Sequence, residues 1–188
     1  MGSGPPDGDL VLRLRRQVPG AFDEVYLRYR EPIWRFLRRL CGRQDVAEDL
    51  FQETWLAVAR NAHRLREDTQ LLPWLYTIAR NKHRNGVRFR LLDRKRREQA
   101  AAEPPATVAE VETDADARRR AAQVARAFAH LPDVYREVLL LFFEEGLTTE
   151  GVARVLDLRE DAVRKRLSRA RTALARLLAL REREGTTP

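Results

Sequence analysis

Between Arg159 and Arg183 the chain carries nine basic residues against three acids, and acids are nearly absent from Val163 to Leu180. Guanidinium groups at that density suit phosphates and the acceptor edges of guanine. Two further clusters have spacings that bring side chains together. Asp49, Gln52, Glu53 and Leu56 recur at i, i+3, i+4 and i+7, so they share one side of a helix. Taken alone, that acidic face suits a docking surface for a basic protein or an ordinary solvated face with one tolerated leucine. Thr77, Arg80, Arg84 and Arg88 step by 3, 4 and 4 along one outer ridge, with Asn81 beside it. Rings next to a basic ridge suit single-stranded nucleic acid, because bases stack on the rings while guanidiniums follow the phosphates. Trp74 reads more readily as core than as such a platform, whereas Tyr76 suits either.

Covalent chemistry is poorly supplied. The serines are Ser3 and Ser168, and neither has a histidine nearby in sequence. His63, His83 and His130 show no HExxH or paired-ligand spacing, and no glycine-rich phosphate loop is present. Cys41 is alone, which excludes intrachain disulfides and cysteine-based zinc clusters and fits a reducing cytoplasm. The chain therefore reads as a binding protein, with no catalytic residue, metal or cofactor expected.

The elements that must carry these residues are helical. The 188 residues hold 44% apolar and 34% charged side chains, with 36 Lys+Arg against 28 Asp+Glu and a net charge of +8. That balance excludes a wholly disordered chain and leaves room for one ordinary core or two small ones. No apolar run is long enough to span a bilayer, and MGSGPPDGD lacks the marks of a signal peptide. No alternating strand pattern of useful length appears. The expected fold class is all-α, with two small helical domains over residues 9–97 and 118–184. A flexible acidic linker over 98–117 joins them. Five acids and no base fall between Glu103 and Asp116, and Pro104-Pro105 blocks a continuous helix. This acidic stretch either touches the flanking basic blocks or is a solvated tether.

In the second domain, LPDVYREVLLLFFEEG runs from Pro132 near a helix start to Gly146, a natural position after a helix end. A short helix is expected from about Thr149 to Leu156, with Thr148 as N-cap and Glu150 in its first turn. Asp157-Leu158-Arg159 makes a tight turn, and a longer helix follows from about Glu160 past Leu178. There Val163, Leu167, Ala170, Leu174 and Leu177 form one apolar stripe. Arg164, Lys165, Ser168, Arg169 and Thr172 fall on the opposite arc. A short helix, a tight turn and a second helix with a basic outer face make a helix-turn-helix, whose second helix can enter the major groove. An arginine-rich helix of an ordinary bundle is the plainer alternative. In the first domain DVAEDLFQETWLAVARN is a helix whose core arc holds Val46, Leu50, Phe51, Thr54 and Val58. PWLYTIARNKHRNGVRFR is another, with Trp74, Leu75, Ile78 and Ala79 facing inward.

These segments resemble the extracytoplasmic-function sigma factors of bacterial RNA polymerase, in the sigma-70 family. AFDEVYLRYREPIWRFLRRLCG, DVAEDLFQETWLAVARN and PWLYTIARN are similar to their region two. LPDVYREVLLLFFEEGLTTEGVARVLDLREDAVRKRLSRARTAL is similar to their region four. The resemblance spans roughly residues 10–178, and its ordered motifs are far more specific than a helix-turn-helix alone. It implies that Asp49, Gln52, Glu53 and Leu56 meet the β′ clamp helices of core polymerase. It implies that the loop from Asn61 to Leu72 and the ridge Thr77, Arg80, Asn81, Arg84 and Arg88 open and read the −10 element. Arg164, Lys165, Arg166, Ser168 and Arg169 would read the −35 element. The implied partners are core polymerase (β′ clamp helices and β flap), promoter DNA and an anti-sigma factor, without membrane insertion. Asp157 stands where the family usually has Gly, Ala162 where it has Thr, and Gly151 where it has an acid. The rival reading is a stand-alone helix-turn-helix regulator with an N-terminal sensor or dimerisation module.

Overall fold

The computed structural model describes residues 7–96 and 115–184, with side-chain surroundings for residues 7–87 and 121–180. Every regular element among them is helical: α1 (Asp7–Arg15), α2 (Ala21–Cys41), α3 (Gln44–Asn61), α4 (Leu71–Arg96), α5 (Ala115–Ala129), α6 (Asp133–Leu139), α7 (Thr149–Leu156) and α8 (Glu160–Glu184). Helices α1–α4 form one compact unit and α5–α8 a second. Most of the expected linker lies outside the described residues. Its last three residues, from Ala115, belong to α5.

In the first unit α2, α3 and α4 pack on one another, and α1 lies against α2 and a short 3₁₀ turn at Ala62–Arg64. The helix α2 ends where Gly42 takes φ 70°, and its N–H donates to the Arg38 carbonyl at 3.1 Å. That left-handed residue closes the helix at little steric cost because glycine has no Cβ. The core is built from Val25, Ile33, Phe36, Leu37 and Leu40 of α2, Leu50, Trp55 and Val58 of α3, and Leu71, Leu75 and Tyr76 of α4. Phe36 and Tyr76 meet edge-on, with ring centroids 5.1 Å apart. Full burial of such side chains contributes about 1.5–3 kcal/mol each, so Phe36→Ala would cost about 3–5 kcal/mol. A second group of rings lies between α2 and α3: Tyr26 packs on Trp55 at 4.9 Å and Trp34 on Phe51 at 5.6 Å.

Polar groups tie α1 to this core. Tyr29 donates to Asp7 at 2.8 Å, Arg28 pairs with Asp7 at 3.5 Å, and Arg13 pairs with Glu24 at 2.8 Å. Arg15 reaches Glu67 in the loop before α4 at 3.5 Å. The first helix begins at Asp7, two residues before the expected start of the first domain. Asp7 is retained as the acceptor of Tyr29 and as a partner of Arg28.

In the second unit α5, α6 and α7 pack against α8. The helix α6 continues into a wide π-type turn over Leu140–Glu144, a widening the sequence reading did not foresee. There Glu145 N–H donates to the Leu140 carbonyl at 3.0 Å, five residues back. Gly146, at φ 65°, ends the run.

Candidate nucleic-acid interface

The short helix α7 starts as its sequence dictates. Thr148 sits in extended backbone, and its Oγ1 accepts from Gly151 N–H at 3.1 Å, which satisfies one of the unpaired donors of the first turn. Val152, Val155 and Leu156 are buried. The turn after it forces Asp157 to φ 55°, ψ 54°, in the left-handed region that strains a residue carrying a Cβ. Leu158 N–H then donates to the Ala153 carbonyl at 3.0 Å, closing the helix end. Helix α8 follows with Glu160 and Asp161 in its first turn, where the helix dipole favours acids.

The α8 stripe points inward as the spacing requires. Val163, Leu167 and Ala170 are buried, while Leu174 and Leu177 are half-buried. Arg164, Lys165, Ser168, Arg169 and Thr172 are exposed together, and Arg166 is half-buried at the edge of this arc. Arg164 forks between two acids one turn back, with Nη2 2.8 Å from Glu160 and Nη1 2.7 Å from Asp161. Among the described residues Lys165 and Arg169 have no ion-pair partner.

In the first unit the acidic face is open. Asp49, Gln52 and Glu53 are exposed, and Leu56 keeps 56% of its surface in solvent. Lys82 of α4 pairs with Glu53 at 3.2 Å, a contact invisible to helical spacing because the two residues sit on different helices. The core arc of α3 holds Leu50, Thr54 and Val58 as expected. Val46 and Phe51 are half-buried, and Trp55 joins the arc. Thr54 is accommodated there because its hydroxyl donates to the Leu50 carbonyl at 2.6 Å.

The ridge on α4 needs correction. Arg84 and Asn81 are exposed and Thr77 is half-buried, its hydroxyl donating to the Pro73 carbonyl at 2.8 Å. Arg80 is only 6% exposed and lies with the buried face beside Ala79, so it is not part of an open outer ridge. Arg88 lies within α4, but its side chain falls outside the described residues. Tyr76 is fully buried, which settles it as core, while Trp74 is half-buried. The loop before α4 holds itself in shape. Arg66 N–H donates to Thr69 Oγ1 at 3.0 Å, Thr69 N–H donates back to the Arg66 carbonyl at 3.1 Å, and Arg66 pairs with Asp68 at 3.1 Å.

Among the described residues no helix is long and apolar enough to cross a membrane, and no group of three or more His, Cys, Asp or Glu is arranged to hold a metal ion.

Known proteins share this arrangement. The Sigma-70 region 2 family matches residues 25–99, and the family described as Sigma-70, region 4 matches residues 121–174. The RNA polymerase sigma factor CarQ of Myxococcus xanthus is 32% identical over 92% of this chain and 97% of its own length. The ECF RNA polymerase sigma factor SigM of Mycobacterium tuberculosis is 32% identical over 84% of this chain and 77% of its own. The probable RNA polymerase sigma factor RfaY of Xanthomonas campestris is 35% identical over 73% of this chain, a match that spans only 34% of that longer protein. Among solved structures, CnrH in complex with the cytosolic domain of CnrY aligns with a TM-score of 0.69 at 25% identity, covering 93% of this chain and 97% of that one. The sigma factor RpoE of Bartonella quintana, in complex with the anti-sigma factor NepR, shares the fold with a TM-score of 0.75 at 24% identity, covering 85% and 98%. A region 2 unit followed by a region 4 helix-turn-helix, with near full-length similarity to CarQ, establishes that this chain belongs to the extracytoplasmic-function group of the sigma-70 family of RNA polymerase sigma factors.

Proposed function

We propose that this chain is a dissociable promoter-specificity subunit that directs core RNA polymerase to its promoters and makes no covalent chemistry of its own. The observation that carries this reading is the order of surfaces on one chain. A region 2 unit with an exposed acidic face precedes a region 4 unit whose helix-turn-helix exposes a basic arc.

The division of labour follows from the chemistry of each surface. The unit over residues 9–97 docks on core polymerase through Asp49, Gln52, Glu53 and Leu56. Asn81, Arg84, Thr77 and Arg88 meet the unpaired −10 strand, with the loop from Asn61 to Leu72 beside them. The buried Arg80 supports this surface from within. Extruding a base costs about a few kcal/mol, which capture of that base offsets. The unit over residues 118–184 anchors the upstream duplex through α8, with Arg164, Lys165, Arg166, Ser168 and Arg169 toward the −35 element. The acidic linker ahead of α5 tethers the two. An anti-sigma factor is a further partner, and the similar protein CnrH has been solved in complex with the cytosolic domain of CnrY. The site of action is the cytoplasm, where core polymerase and promoters are found.

Transcription in vitro from a promoter library tests this. Purified chain added to core polymerase should give discrete start sites on a subset of promoters, and core alone should give none. Dimeric binding to paired half-sites without core polymerase would replace this reading with a stand-alone regulator.

A further inference from the structure

We propose that Glu160 is a positioning residue for Arg164, held in place from the neighbouring helix by Thr149, and that this bridge sharpens sequence choice by the −35 helix. The proposal rests on the reading of α8 as that helix. One carboxylate oxygen, Glu160 Oε2, accepts from Thr149 Oγ1 at 3.0 Å and from Arg164 Nη2 at 2.8 Å. Thr149 opens α7 and Glu160 opens α8, so the bridge spans the turn of the helix-turn-helix.

An exposed i,i+4 ion pair is ordinarily weak, because both side chains must surrender rotamer freedom to hold one geometry. Here the acid is already fixed by a third group on another element. The Glu160 carboxylate therefore offers the Arg164 guanidinium a defined resting position. A donor set that is ordered beforehand loses less entropy when it meets a base edge and tolerates fewer wrong bases. The remaining N–H groups of Arg164 are available to an outside acceptor.

The two acids beside Arg164 are not equivalent. The Glu160 side chain is 40% exposed and bridged, whereas Asp161 is 81% exposed and contacts Arg164 from the solvent side. Near a phosphate backbone, each carboxylate weakens attraction for every sequence. General affinity therefore gives no account of Glu160, while fixing the leading guanidinium does.

Selection of −35 sequences from a random pool by the full chain assembled with core polymerase tests the proposal. Thr149→Val breaks the bridge and changes no charge. Its discrimination at the bases chosen by Arg164 should fall about threefold to tenfold. Thr149→Ser should restore it, and Thr149→Val should add nothing in an Arg164→Ala background. Glu160→Gln keeps an acceptor for Thr149 but removes the ion pair. It should lower discrimination likewise while raising affinity for all sequences, and it serves if Thr149→Val loses helicity by circular dichroism. If Arg164→Ala relaxes base choice but Thr149→Val and Glu160→Gln leave it intact, the bridge is structural only and the proposal fails. If Arg164→Ala itself leaves base choice intact, the underlying assignment of Arg164 fails and the proposal falls with it.

Discussion

Lys82 on α4 brings its ammonium to 3.2 Å from the carboxylate of Glu53 on α3. The pair links the acidic face proposed for core polymerase to the helix proposed for the −10 strand. Its side chains are 34% and 54% exposed, so the pair itself stabilises the fold by about 1 kcal/mol at most. Replacing Gln52 by Ala and Glu53 by Arg sets a guanidinium against Lys82 and cancels the net negative charge of the face, since Asp49 remains. Helicity by circular dichroism should be retained, and affinity for core polymerase in pull-down should fall about tenfold or more. Unchanged affinity would remove this face from the interface.

Arg80 and Arg84 should now part company. Arg84 is exposed, so Arg84→Ala should change stability by less than about 0.5 kcal/mol. It should nonetheless reduce promoter opening, read as permanganate reactivity of −10 thymines. Arg80 is buried, so Arg80→Ala should cost about 1–3 kcal/mol of folding stability. Its effect on opening should then follow the loss of folded protein. Normal stability of Arg80→Ala combined with failed opening would return Arg80 to the DNA-facing surface.

This pair also marks where the sequence stops being informative. Capping chemistry located Thr148 at the start of α7, and apolar spacing located the inward stripe Val163, Leu167 and Ala170, because burial of apolar groups follows helical period. Polar burial does not. Arg80 and Glu137 are both buried, and their types alone predict exposure. Arg80 follows Tyr76 by four residues, so once Tyr76 is core Arg80 shares its face. A tyrosine at position 76 suits core or stacking by type, so spacing alone does not mark the edge of the buried arc on α4. Contacts between helices, such as Glu53 with Lys82 or Thr149 with Glu160, depend on tertiary packing and leave no trace in spacing.

Asp157 should be a site of easy stabilisation. It holds φ 55° at the end of α7, where a Cβ is strained and where the helix dipole disfavours an acid. Asp157→Gly relieves both and gives back part of the gain through the entropy of the unfolded chain. The net effect should be about 0.5–1 kcal/mol of added stability, seen as a higher Tm of the C-terminal unit. A lower Tm would mean that the Asp157 side chain supports the turn.

Tyr29 gives the first unit a dependence on alkaline pH. Burial, followed by the hydrogen bond and negative charge of Asp7, pushes its hydroxyl from 10.0 up to about 12. A raised folded value means that folding favours the neutral phenol. Its contribution is whole below about pH 10 and is lost as pH climbs through about 12. Tyr29→Phe should cost about 1–2 kcal/mol at neutral pH, through the lost bond to a carboxylate. It should also flatten the decline between these values. Denaturant unfolding of both proteins across this range measures the difference, and parallel curves would show that Tyr29 does not titrate with unfolding.

Lys165 and Arg169 separate base reading from phosphate anchoring on α8. Both are exposed, and among the described residues neither is engaged by an acid, unlike Arg164. Recognition helices usually present their N-terminal residues to base edges. Lys165, in the second turn of α8, is therefore the better reader. Arg169 lies one turn later on the same basic arc, nearer Arg171 and Arg176, and suits a phosphate. Lys165→Ala should cost about 1–3 kcal/mol at the preferred −35 sequence and relax the choice of bases there. Arg169→Ala should weaken all sequences alike and make the logarithmic salt slope shallower by about 1. Selection of −35 sequences by the assembled polymerase at several salt concentrations reads both effects. A relaxed base choice in Arg169→Ala, with an unchanged one in Lys165→Ala, would reverse the two roles and move the reading end of α8 one turn toward its C-terminus.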